Sequence, residues 1–221
     1  MRHRQSTLRI SATPIWGLLG DMLAEIERRL ENYSGPIADS ESSSWFDESD
    51  GIVVTSISFG RVLTLSSQTA YSASASAMQL CTVESASTEY NVLYVSRRLS
   101  EYDIACNLIA QASNLCVDRL VSGLLTDAEW DRLEAALAKI RDQELSVIHA
   151  GSLEDVPICD WLSQVSTISD TTPLLILDDA ALLSGLQRDR KAGKAYDLLK
   201  LARVAAGADA LIVLVEETRL H

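Results

Sequence analysis

The feature that most constrains this chain is a set of short, continuously apolar runs separated by stretches of helical periodicity. NVLYVS at Asn91 to Ser96, LLILDD after Pro173 and LIVLV at Leu211 to Val215 show little alternation between apolar and polar residues. A strand with one face in water alternates with period two; a strand covered on both faces does not. Ile52 to Ile57, Arg61 to Leu65 and Leu145 to His149 supply further strands. Strands alternating with helices predict an α/β fold with a mostly parallel central sheet between helical layers. A chain of 221 residues is long enough for one such domain plus an arm.

The helical stretches carry their own start signals. Ser100 with Asp103 opens a helix running through IACNLIAQASNL. Leu120 to Ile140 is the clearest helical stretch, with Thr126 and Glu129 as a T-x-x-E capping box and Trp130, Leu133, Leu137 and Ile140 as its buried stripe. Further helices are expected from Ser152 or Asp155 through Leu162, and from Tyr196 to Val204.

Four segments follow from the composition along the chain. Residues 1–13, with Arg2, Arg4 and Arg9, read as a mobile basic tail. Residues 14–33 read as an amphipathic helix, with Thr13 able to cap it and Pro14 suited to its first position. Its apolar stripe is Ile15, Trp16, Leu19, Met22, Leu23, Ile26 and Leu30. That stripe packs either on its own domain or on a neighbouring subunit. Residues 34–51 form an acidic, Ser-rich connection, and 52–221 form the core.

The formal net charge is −12, from 19 Lys+Arg and 31 Asp+Glu, which argues against non-specific binding to a polyphosphate. The four cysteines form no CxxC pair and the three histidines are scattered, so no zinc site is expected. No apolar run approaches the ~20 residues of a membrane span, and MRHRQSTLRI lacks the apolar region of a secretion signal. A cytoplasmic protein is expected.

In a parallel sheet, ligand sites lie beyond the C-terminal strand ends. Those ends hold Ser66 to Ser72, Arg97 and Arg98, Asp178 and Asp179, and Glu216 and Glu217. The stretch from Gly60 to Cys81 runs strand, small-residue loop, small-residue helix, which is the layout of a phosphate-binding loop. It lacks the lysine and the glycines that bring a backbone close to phosphate.

This order of elements resembles the C-terminal, RecA-like motor domain of DnaB-type replicative DNA helicases, over roughly Pro14 to Arg219. SRRLSEYDIACNLIAQASNLCVDRLVSGLLTDAEWDRL is similar to the family's S-L-E-M-S start and its helix pair ending in L-T-D-x-x-W; LLILDDAALLSG is similar to the Walker B strand. The resemblance implies a RecA-like three-layer fold preceded by a linker helix that docks on the next subunit of a ring. It places the family's G-K-T on Ser72, Ala73 and Ser74, so Ala73 stands at the phosphate-contacting lysine and Ser72 at the glycine. The catalytic glutamate falls on Arg98, the Walker B aspartate on Asp178, and the γ-phosphate-sensing glutamine on Glu216. The later arginine-finger segment has no counterpart before His221.

Phosphoryl transfer depends on positioned positive charge and on a group that orients the nucleophile. The substitutions therefore argue against efficient ATP hydrolysis, and the expectation is no obligatory cofactor, with weak ATP-Mg²⁺ binding as the residual case. Arg98 is expected either to contact phosphate or to pair with Asp178 or Asp179. Arg188, Arg190, Lys191 and Lys194 fall where the family's pore loop touches single-stranded DNA, although such a run is also an ordinary solvated loop. The implied function is a catalytically inactive helicase-like scaffold in DNA replication. Its partner would be a second copy or a replicative helicase, bound through the linker helix. The alternatives are a divergent helicase or ATPase using Arg98 and Asp178, and a passive nucleotide or single-strand binder.

Overall fold

The computed structural model describes residues 13–32, 53–56, 62–67, 70–85, 90–141, 143, 145–149, 172–179, 203, 205–207 and 209–217. Among the described residues, seven strands form one sheet: β1 (Thr13–Pro14), β2 (Val53–Ser56), β3 (Val62–Ser67), β4 (Tyr90–Ser96), β5 (Leu145–His149), β6 (Thr172–Asp178) and β7 (Leu211–Glu217). Their order is β1-β5-β4-β6-β7-β3-β2. The five central strands pair in parallel, and the two edges pair antiparallel. The expected parallel sheet is therefore present, closed at each side by a short reversed strand.

The apolar runs lie where burial on both faces demands them. One face carries Leu65, Val213, Val215, Leu174, Ile176, Val92, Tyr94, Leu145 and Val147, which join a single core with the helices. The other face, including Leu93, Val95, Leu175, Leu177, Ile212 and Leu214, is buried as well. A strand loaded on both faces cannot alternate, which is the physical reason for the sequence pattern.

The helices with bounds among the described residues are α1 (Ile15–Glu31), α2 (Ala70–Ser85), α3 (Glu101–Ser113), α4 (Val117–Ser122) and α5 (Asp127–Arg141). Ser100 and Asp103 make the expected reciprocal capping box on α3. Asn114 ends that helix at φ 53, a left-handed conformation an asparagine tolerates. The long helix expected over Leu120 to Ile140 is two helices. Gly123 takes φ 75 and ends α4, and Thr126 and Glu129 then start α5 with hydrogen bonds of 2.8, 3.1 and 3.4 Å. Periodicity carried across the break, but the glycine and the capping box mark a stop followed by a start. Trp130 and Leu137 are half-buried, while Leu133, Ala136 and Ile140 are buried.

The N-terminal helix also differs from expectation. Thr13 and Pro14 do not open α1 as cap and first turn; they pair antiparallel with Val147 and Ser146 of β5. The Thr13 hydroxyl donates to Glu101 Oε2 at 3.0 Å instead. The stripe expected as an intersubunit face is largely inside this chain's own core: Ile15, Met22 and Ile26 are 0% exposed and Leu19 is 6% exposed. Leu23 is half-buried against the same core, and Trp16 points outward; the side chain of Leu30 lies outside the described residues. Each buried side chain of this size contributes about 1.5–3 kcal/mol, so α1 belongs to the domain energetically. Arg29 donates to the Val121 carbonyl of α4 and, with Arg28, brackets Glu25, whose carboxyl is pulled down to about 2 by those two hydrogen bonds. The expected helix from Ser152 or Asp155 through Leu162 and the connection at 34–51 lie outside the described residues, as do the expected basic tail apart from Thr13 and the expected helix from Tyr196 to Val204 apart from Arg203, which is helical.

Candidate functional site

Strand register places Leu65, Val215, Asp178, Ser96 and His149 in one row across the C-terminal end of the sheet. Within this row, β6 and β4 set Asp178 and Ser96 side by side. The helix α2 follows β3 after two residues and packs over the same face. Its small residues allow close approach: Ala73 and Ala77 are 1% and 0% exposed. Ser74, one position after Ala73 on α2, is thereby brought to Asp178.

The cluster is closely hydrogen-bonded. Asp178 is 0% exposed. Its Oδ1 accepts from Ser74 Oγ at 2.6 Å and from the Arg98 guanidinium, which forms an ion pair with it. The same guanidinium nitrogen donates to Ser74 Oγ at 2.9 Å. Asp178 Oδ2 accepts from Ser96 Oγ at 3.1 Å. Ser96 Oγ in turn accepts from the backbone N–H groups of Arg98 and Leu99, at 3.2 and 3.1 Å. Those two bonds fold the chain back at the end of β4 and aim Arg98 at Asp178. His149 Nδ1 donates to the Leu99 carbonyl at 2.9 Å and holds the same turn from β5.

Beneath the carboxylate, Tyr94 is 0% exposed, and its hydroxyl makes no well-formed hydrogen bond among the described residues. Burial and the nearby negative charge of Asp178 push its phenol well above the usual range. The backbone leaves the cluster through Asp179 at φ 149, a conformation costing a non-glycine residue about 1–3 kcal/mol.

Of the residues singled out from sequence, Ser74, Arg98 and Asp178 converge, and Ala73 packs beside them. Of the two carboxylates considered for Arg98, Asp178 is the one it bonds. Glu216 registers with Ser66, one position off the row that holds Asp178, and so lies on the opposite face. The side chain of Ser72 and the basic residues Arg188, Arg190, Lys191 and Lys194 lie outside the described residues. Ser96 was not singled out. Its signal is a hydroxyl ending an otherwise apolar strand, which acquires meaning only once β4 and β6 are known to be neighbours.

No family model and no curated protein matches the sequence. Among solved structures, 17 chains match. One is described as a DnaB-like replicative helicase and its interactions with primase, with a TM-score of 0.58 at 16% identity. The match covers 87% of this chain and 47% of that one, so this chain spans about half the helicase's length. The fold is thus the RecA-like α/β fold of DnaB-like helicases.

A helicase-type fold implies a nucleotide and Mg²⁺, held by a hydroxyl on the helix after the phosphate loop, an acid ending a neighbouring strand, and a lysine on the phosphates. Ser74 and Asp178 match the first two. Ala73 brings no charge, and the Arg98 guanidinium already bonds both oxygens that would meet the metal. Among the described residues, the groups as arranged do not fit the metal–nucleotide group. Among the described residues, no three His, Cys, Asp or Glu side chains gather to hold a metal. No described helix is long and apolar enough to cross a membrane.

Proposed function

We propose that this chain is a helicase-like protein that does not turn over nucleotide and that acts through protein contacts as a scaffold or regulator, in the cytoplasm. One observation carries the reading: Arg98 is paired with the fully buried Asp178, across the place where a nucleotide's metal would sit. A fixed cation there cannot orient a water, and extracting it would leave a buried carboxylate unpaired. No cofactor is required on this reading. A role in DNA replication and a protein partner are supported by the likeness to a helicase described with its primase. The buried stripe of α1 is unavailable to that partner unless the helix leaves its own domain. The acidic balance of −12 favours a protein over single-stranded DNA.

The test is phosphate release and calorimetry with ATP-Mg²⁺ on the purified protein. Neither turnover nor heat of binding is expected. Steady turnover abolished by Asp178→Ala would defeat the proposal. It would establish instead the reading favoured by the retained Ser74–Asp178 pair, a divergent ATPase.

A further inference from the structure

We propose that the Arg98 guanidinium is the resident cation of the Ser74–Ser96–Asp178 cluster, standing where a divalent cation would bind and making the cluster independent of metal. This rests on reading the cluster as a remodelled nucleotide pocket. Arg98 Nη2 lies 2.9 Å from Ser74 Oγ and also bonds Asp178 Oδ1, so it bridges the two oxygens that a hard cation would share. Arginine offers several donors in a planar fork, which suits it to bridging neighbouring acceptors. Charge balance favours the substitution. One carboxylate with a divalent ion leaves a net positive charge that needs phosphates or further acids. One carboxylate with one guanidinium is neutral and needs no ligand. A buried carboxylate at 0% exposure must have such a partner.

The remaining donors confirm how closed the cluster is. Asp178 Oδ2 is taken by Ser96 Oγ, and that hydroxyl's acceptor capacity is taken by the Arg98 and Leu99 N–H groups. Arg98 also joins three elements: its own turn after β4, the helix α2 through Ser74, and β6 through Asp178. In a metal-dependent site the ion would make that connection. Here a side chain makes it permanently, and the domain is held together in the same way with or without divalent ions.

The probe is Mn²⁺, followed by the loss of its free-ion paramagnetic resonance signal and by thermal unfolding. The wild-type protein should show no Mn²⁺ uptake beyond that of Asp178→Asn, and the same unfolding midpoint in chelator and in excess Mn²⁺. Arg98→Gln should gain about tenfold or more in Mn²⁺ affinity at one site. It should regain thermal stability with the ion, and the double variant Arg98→Gln/Asp178→Asn should lose both effects. Arg98→Lys keeps a cation and should remain blind to Mn²⁺, which preserves the test if the glutamine variant does not fold. Mn²⁺ bound by the wild type or by Arg98→Lys, and lost on Asp178→Asn, would overturn the inference. A folded Arg98→Gln that gains nothing over the double variant would do so as well. ATP turnover by the wild type would remove the functional reading through a separate measurement, so the two failures are distinguishable.

Discussion

Truncating Arg98 should cost more stability than neutralising Asp178, although both changes break the same ion pair. The Arg98 side chain is 30% exposed and that of Asp178 is 0% exposed. In Arg98→Ala the carboxylate stays buried, with the Ser74 and Ser96 hydroxyls as its remaining donors among the described residues. Removing one partner of a buried pair costs about 3–5 kcal/mol. Partial access of water from the arginine's side lowers this to about 2–4 kcal/mol. In Asp178→Asn the shape is kept, the amide oxygen can still accept from a serine, and the guanidinium can turn toward water. That change should cost about 1–2 kcal/mol. The double variant leaves no buried charge and should resemble Asp178→Asn alone, giving a coupling of about 2–4 kcal/mol between the positions, equal to the cost of Arg98→Ala itself. Urea unfolding of the four proteins, followed by circular dichroism, measures all three quantities. If Arg98→Ala costs under about 1 kcal/mol, or less than Asp178→Asn, the carboxylate is not depending on that guanidinium. The account of the site would then fail.

Perturbations at four other residues probe other parts of the fold. Met22→Ala should destabilise the isolated chain by about 2–5 kcal/mol, because Met22 is 0% exposed in the core. Trp16→Ala, at a position 60% exposed, should change stability by about 0.5 kcal/mol or less; comparable losses in urea melts would mean that α1 does not pack as described. Glu129 is 6% exposed, and burial opposes its ionisation, but Arg119 and the Thr126 backbone and hydroxyl outweigh burial and hold its carboxyl below the usual value. Its contribution is therefore present above the unfolded-state value near 4.5 and is lost as pH falls through the lower folded value. Glu129→Gln should flatten the acid limb of a stability–pH curve, and an unchanged limb would contradict the assignment. Ser100→Ala removes the side-chain cap of α3 and should cost about 1 kcal/mol by the same melts, whereas Ser100→Asp should retain most of it.

Local chemistry made much of the fold legible from residue types alone. Continuous apolar runs identified the central strands, because a strand buried on both faces has no polar side. Ser100–Asp103 and Thr126–Glu129 marked two helix starts, because the groups that satisfy a helix's first N–H donors sit within one turn. The same locality explains the error at Gly123. Helical periodicity averaged over α4 and α5 passed through a residue whose left-handed φ, and not its hydropathy, ends the first helix.

The sequence by itself determined the order of strands and helices, the unusual residues at Ala73 and Arg98, and the presence of an acid at the end of β6. Only the tertiary structure decided which of these groups meet. Ser74, Ser96, Arg98 and Asp178 come from three separate elements, up to 104 residues apart in the chain, and their meeting depends on β4 lying beside β6. It also decided that α1 spends its apolar stripe on its own core, since an amphipathic stripe states that a helix must be covered without stating by what. Arg98 and Asp178 neutralise each other because the pairing of β4 with β6 sets a buried carboxylate next to a strand end that carries a long cation.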